Sequence, residues 1–164
     1  MTTTASRMTI EDPKSGDATI IMTRMFDAPI EKVWECFTRP EHVKVWFGGQ
    51  GFSNPVCEMD VRTGGTWRHV MRTPNGQEYT INSVYTEVKK PTRLVWQDAD
   101  YGKRTAGPPA RITDVTLEPH GEKTRWRMIA TFASIADRDL TRQMGFTETL
   151  TQGCEKFNDL VKTL

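Results

Sequence analysis

Large apolar side chains recur along this chain with two different periods, and the switches between them divide it into elements. The run Ala18 to Phe26, ATIIMTRMF, reads as a first strand. Asp27-Ala28-Pro29 follows, placing Pro29 near a first helical turn and Glu31 near its positive end. Ile30, Val33, Trp34 and Phe37 then fall at i, i+3, i+4 and i+7, which predicts an amphipathic helix. Thr38-Arg39-Pro40-Glu41 has the form of a capping box with proline in the first turn. It predicts a second short helix carrying Val43, Val45, Trp46 and Phe47, stopped by Gly48-Gly49.

From about Pro55 the period falls to two, the spacing of strands with one buried face. Cys57, Met59 and Val61 share a face of the second strand. Trp67, His69 and Met71 share a face of the third, with Arg68 and Arg72 opposite. The whole run from Asp60 to Trp96 reads as a meander turning at Thr63-Gly64-Gly65, Pro74-Asn75-Gly76 and Lys89-Lys90-Pro91. Asn75-Gly76 is a pair favoured in tight primed hairpin turns. In the fourth strand, Glu78 to Val88, Tyr79, Ile81 and Tyr85 are assigned inward in preference to Thr80, Val84 and Val88. Leu94 and Trp96 mark the fifth, and Tyr101 to Pro109 reads as a loop. Ile112 to Leu117 and Arg125 to Phe132 form a last hairpin across Pro119-His120-Gly121. Its second strand turns Trp126, Met128, Ala130 and Phe132 inward and Arg125 and Arg127 outward.

The C-terminal segment returns to a helical period. Phe146, Leu150, Gly153, Phe157, Leu160 and Leu164 form one stripe, with Ser134 and Asp137 as a start signal. Such a stripe must lie on an apolar surface, and the sheet supplies it. Gly153 within it allows close approach of backbone or ligand. The expected order is β-α-α-β-β-β-β-β-β-α, an α+β fold in which a curved antiparallel sheet wraps around a long C-terminal helix. Residues 1–17, Thr-rich and polar, read as a flexible tail, and 18–164 as a single domain.

Composition narrows the function classes. The 164 residues carry 22 basic and 21 acidic side chains, a near balance that gives no general electrostatic footprint for nucleic acid or anionic membrane. Mean hydropathy is −0.56 and no segment approaches a membrane span. Cys36, Cys57 and Cys154 are odd in number and lack CxxC or metal spacing, so they read as reduced thiols of a cytoplasmic protein. His42, His69 and His120 show no metal-ligand spacing, and no GxSxG, Walker loop or dinucleotide glycine pattern occurs. No cofactor, metal or catalytic nucleophile is nominated.

Particular blocks carry a resemblance. DAPIEKVWECFTRPEHVKVWF, DVRTGGTWRHVMRTPNGQEY and VYTEVKKPTRLVW resemble the START-like (SRPBCC) superfamily. Within it they look like the family named after the C-terminal domain of the heat-shock-protein-90 ATPase activator. The family's closing Gly-Trp stands here as Gly145-Phe146, before Leu150, Phe157 and Leu160. The likeness runs from about Ala18 to Leu164 and implies a helix-grip fold. It also implies the functions seen across the superfamily, which binds lipids, sterols, polyketides and other apolar molecules between sheet and helix and includes cyclases and hydrolases. Fold alone does not choose among these.

The expected function is binding of a small apolar or amphipathic molecule in a cavity between the sheet and the C-terminal helix. Trp46, Trp67, His69, Met71, Tyr79, Trp96, Met128 and Phe146 are the expected contacts. The aromatic rings supply area, while His69 and Tyr79 orient the guest. Taken singly, each aromatic reads first as ordinary core, and methionine serves equally as core filler; it is the group beneath one helix that points to a cavity. His69 reads either as a ligand-facing group or as an inward histidine bonded to a neighbouring strand, and a base needs partners the sequence does not identify. The alternatives are a chaperone-related interaction module that stimulates an ATPase, and a cyclase- or hydrolase-like enzyme using His69. A homodimer is compatible with the sequence.

Overall fold

The computed structural model describes residues 8–11, 16–102 and 108–164. Its elements run β1 (Thr9–Glu11), β2 (Thr19–Phe26), α1 (Ile30–Thr38), α2 (Pro40–Trp46), β3 (Ser53–Met59), β4 (Thr66–Arg72), β5 (Glu78–Lys89), β6 (Arg93–Asp98), β7 (Arg111–His120), β8 (Lys123–Phe132), α3 (Ile135–Gln143) and α4 (Phe146–Val161). All eight strands belong to one antiparallel sheet ordered β1-β2-β8-β7-β6-β5-β4-β3. α1 and α2 connect β2, near one edge, to β3 at the other, and α4 crosses the buried face. This is the helix-grip arrangement. No helix among the described residues is long and apolar enough to cross a membrane.

Two elements add to the expected order. β1 lies within the stretch read as a tail and pairs with β2 from Thr9↔Thr23 to Glu11↔Ile21; residues 1–7 and 12–15 of that stretch lie outside the described residues. The C-terminal segment is two helices rather than one. Ser134 does start α3, its hydroxyl accepting from the Asp137 amide at 3.1 Å. The chain then breaks at Gly145, in the left-handed region at φ 87°, before α4 begins. The loop expected at Tyr101 to Pro109 falls partly outside the described residues, at 103–107.

The capping box expected at Thr38 is not formed. Thr38 is the last residue of α1, and its hydroxyl donates to the Trp34 carbonyl at 2.7 Å. Arg39 is extended at φ −103°, ψ 123°, and caps both helices. The cause is Pro40: a residue preceding proline is pushed out of the helical region, while proline itself suits a first helical position. Asn75-Gly76 likewise departs from a primed two-residue turn. Thr73 and Gln77 close a three-residue loop by a 2.8 Å backbone bond, and Gly76 alone takes a positive φ, 89°. The final hairpin turns later than expected, because β7 runs through His120, which pairs with Lys123.

Strand parity holds for Trp67 and His69 and for Trp126, Met128, Ala130 and Phe132, all buried. In β5, Tyr79, Ile81, Ser83 and Tyr85 face inward while Val84 is 38% exposed. A register shift between Tyr85 and Glu87 then reverses the alternation, so Val88 also packs on the core. Pro55 sits inside β3, at the sheet edge, where the register with β4 is irregular between Ser53 and Val56. An edge is where a strand tolerates a residue lacking an N–H.

The core centres on Phe157 of α4, which is fully buried. Its ring lies 4.3 Å from Phe26 of β2, 4.5 Å from Phe37 of α1 and 5.2 Å from Trp46 of α2, centroid to centroid. One turn earlier, a Cβ on Gly153 would stand 3.0 Å from the Gly48 carbonyl oxygen and 3.2 Å from that of Trp46. The close approach at Gly153 is therefore of backbone.

Candidate functional site

β4, β5 and β6 bring a second aromatic group onto the gripped face. Trp67 lies parallel to Tyr85 with centroids 6.2 Å apart, and Trp96 meets Trp67 edge-on at 5.3 Å. Phe47, at the end of α2, closes over this group 5.6 Å from Trp67 and 4.2 Å from His69. Trp46 links the two aromatic groups, lying 5.8 Å from Phe47 and donating its indole N–H to the Cys36 carbonyl at 2.9 Å.

His69 is the centre of a buried polar chain. Asn54 donates from its amide nitrogen to the carbonyls of Lys44 at 2.9 Å and Phe47 at 3.0 Å, which leaves its amide oxygen as acceptor. His69 Nε2 lies 2.8 Å from that oxygen and so donates to it. Nδ1 then accepts the Trp67 indole N–H at 3.3 Å. The ring is neutral and has no exposed surface. Burial, with the positive charge of Lys44 adding to it, pushes its pKa down to about 4. Both nitrogens are engaged within the fold, and a base held near that value is poorly matched to proton transfer at neutral pH.

The expected contact residues separate into two sets. Trp46, Trp67, His69 and Met128 are buried, Met128 lying between Met22 and Val115 in the sheet. Met71, Tyr79, Trp96 and Phe146 keep part of their surface open while facing the same interior. Met71 pairs with Tyr79. Trp96 pairs with Tyr85 and Thr113. Phe146 opens α4 and packs under the guanidinium of Arg111, 4.6 Å from its ring centre.

Sequence reasoning missed the polar strip between them. Across the sheet, Trp67 pairs with Ser83 and Ser83 with Asp98. Asp98 accepts from the Ser83 hydroxyl at 2.9 Å and from the Arg111 backbone N–H at 3.1 Å. One step along β7 on the same face is Thr113, whose buried hydroxyl has no hydrogen-bond partner among the described residues. Ser83 and Thr113 sat at inward parity in the sequence. Asp98 and Arg111 flank the loop, where alternation gave no signal.

The cysteines are free, and burial raises their thiols, to about 12 for Cys36, about 11 for Cys57 and about 12 for Cys154. None is activated as a nucleophile. No cluster of three metal-ligating side chains occurs among the described residues. An open depression of about 270 Å³ on the other flank of α4 is lined by Ile10, Thr147, Glu148, Thr151 and Gln152, and contains none of the expected contacts.

The family described as activator of Hsp90 ATPase homolog 1-like protein matches residues 27–162. The chain belongs to this family. No curated protein matches it. Among solved structures of similar proteins, one from Nitrosomonas europaea is 28% identical with a TM-score of 0.81, over 90% of this chain and 96% of that one. One from Rhodobacter sphaeroides reaches a TM-score of 0.85 at 18% identity, over 96% and 99%. An AHSA1-like protein from Aeromonas hydrophila is 20% identical with a TM-score of 0.67, over 87% and 92%. The last two, at such identities, speak for the fold alone. Membership of the activator of Hsp90 ATPase homolog 1-like family agrees with the helix-grip arrangement and names no ligand.

Proposed function

We propose that this chain binds a small apolar or amphipathic molecule between the sheet and α4, against Met71, Tyr79, Trp96 and Phe146. The observation that carries the reading is their partial exposure. Four large side chains face the gripped interior yet remain incompletely covered, whereas Trp46, Trp67, His69 and Met128 behind them are sealed. Aromatic and thioether surface beside a few polar groups is the usual lining of a small-molecule site. The sealed set acts as the rigid wall, with His69 holding Trp67 in place. One domain suffices for this, and three free cysteines, two of them buried, fit a reducing, cytoplasmic setting.

Native mass spectrometry of freshly purified protein tests the reading, together with titration by apolar probes followed through tryptophan fluorescence. A co-purified molecule, or a saturable change lost in Trp96→Ala, is the expected result. A protein that carries nothing and answers to no apolar probe rules it out. A chaperone partner, which the family's description brings to mind, ranks second. Its support would be a pull-down of an ATPase chaperone undiminished by Trp96→Ala. Catalysis ranks third, because the one histidine on this face is neutral and fully bonded.

A further inference from the structure

Resting on that reading, we infer that the molecule held between the sheet and α4 carries a carboxylate or similar compact anionic head, received by Arg111 and Thr113. Arg111 begins β7 at the same inward parity as Thr113, two residues on, so their Cα atoms stand about 7 Å apart on one face. Its guanidinium makes no hydrogen bond or ion pair with any described residue; it rests on the Phe146 ring. Guanidinium is a donor-only group with several N–H bonds, so what this side chain lacks is an acceptor. The Thr113 hydroxyl is buried, 3% exposed, and unpartnered, and it too can donate.

The neighbouring carboxylate does not meet that need. Each Asp98 oxygen already accepts one bond, from the Ser83 hydroxyl and from the Arg111 backbone N–H, and no ion pair joins it to the Arg111 side chain. Asp98 therefore fixes the backbone at the start of β7 while the guanidinium reaches over α4. Of the neighbouring groups on this face, His69 is neutral and the Cys57 thiol stays protonated, while the buried guanidinium of Arg24 lies over the Phe26 ring and donates to the Met25 carbonyl at 3.3 Å. The start of α4 is left out of the receiving group, because the Glu148 carboxylate lies beside Gly145 there and accepts from the Thr147 hydroxyl at 3.1 Å. Apolar body against Trp96 and Phe146, acceptor head on Arg111 and Thr113: the chemistry describes an amphipathic acid.

Three matched probes test this by calorimetry: naphthalene-2-carboxylate, 2-naphthalenemethanol and 2-naphthylmethylammonium. The carboxylate is expected to bind at least ~10-fold tighter than the alcohol, as hydrogen bonds to a charged group allow, and the ammonium weakest. Arg111→Gln should bring carboxylate affinity down to that of the alcohol, and Arg111→Lys should restore part of the preference. Thr113→Val should weaken the carboxylate several-fold. Equal affinity for carboxylate and alcohol, or a preference that survives Arg111→Gln, overturns the inference and leaves the apolar site standing. Failure of all three probes to bind overturns the site and the inference together. An unchanged circular dichroism spectrum in each variant separates loss of binding from loss of fold.

Discussion

The indole N–H of Trp67 points at Nδ1 of His69, 3.3 Å away on the same strand and the same face. That bond can form only to a neutral imidazole, so it ties the aromatic wall to the protonation state of a fully buried ring. Asn54 completes the tie from the other side and anchors both to the end of α2.

A pH dependence follows. His69 titrates near 4 in the folded chain against about 6.5 when unfolded, so between those values the unfolded state binds the extra proton. Its contribution is fully present above the unfolded value and is lost as pH falls through that window, to the extent of roughly 3 kcal/mol. Urea unfolding midpoints measured from pH 7 to 5 should decline in the wild type and decline less in His69→Gln. Parallel profiles would assign the acid sensitivity elsewhere.

Phe157 touches three aromatic rings from three different elements and is fully buried. Phe157→Ala should cost roughly 3–5 kcal/mol by equilibrium unfolding, the range for a large cavity in a close-packed core. Phe146→Ala, at the half-open start of the same helix, should cost well under half as much. Comparable losses at both positions would contradict the packing described.

At Gly153 two effects oppose. Alanine improves helix propensity by about 1 kcal/mol, yet its Cβ would press on two carbonyl oxygens at 3.0 and 3.2 Å. These belong to backbone that α4 itself holds, through Lys156 Nζ donating to the Gly49 carbonyl at 2.8 Å and Gln152 accepting from the Gln50 N–H at 2.9 Å. Overlap should win: Gly153→Ala loses about 1 kcal/mol and Gly153→Leu roughly 3. A thermal melt in which either variant is stabilised would show that α2 yields.

Two threonine hydroxyls of similar burial should respond oppositely to valine. Thr124 donates to the Ala28 carbonyl at 2.8 Å, so Thr124→Val should destabilise by about 1 kcal/mol or more. Thr113 has no partner to lose, so in ligand-free protein Thr113→Val should be neutral or stabilising by up to about 1 kcal/mol. Equal destabilisation in denaturant titrations would mean that Thr113 is already satisfied.

The helix-grip architecture was legible because Trp67-His69-Met71 and Trp126-Met128-Ala130-Phe132 keep a period of two despite Val70 and Ile129, and because α1 carries a clean stripe. Errors arose where one residue outweighed a pattern. Pro40 forced Arg39 extended and dissolved the capping box at Thr38, and a one-residue shift after Tyr85 turned Val88 inward against its parity. Of the proposed site, alternation nominated the aromatic and methionine residues with His69 and Tyr79, but it did not nominate Asp98, Arg111 or Thr113. Asp98 and Arg111 are separated in sequence by the loop and meet only because β6 and β7 pair. Thr113 looks like an ordinary strand threonine until its hydroxyl is found without a partner.

The irregular β3 edge has a consequence for behaviour at high concentration. A regular edge strand offers a ladder on which another chain can extend the sheet. Here one border offers β1, three residues long, and the other is interrupted by Pro55, which has no N–H to give. Among the described residues both borders are thus blunted against edge-to-edge pairing, which favours helices or side-chain faces as the surface on which two copies would meet.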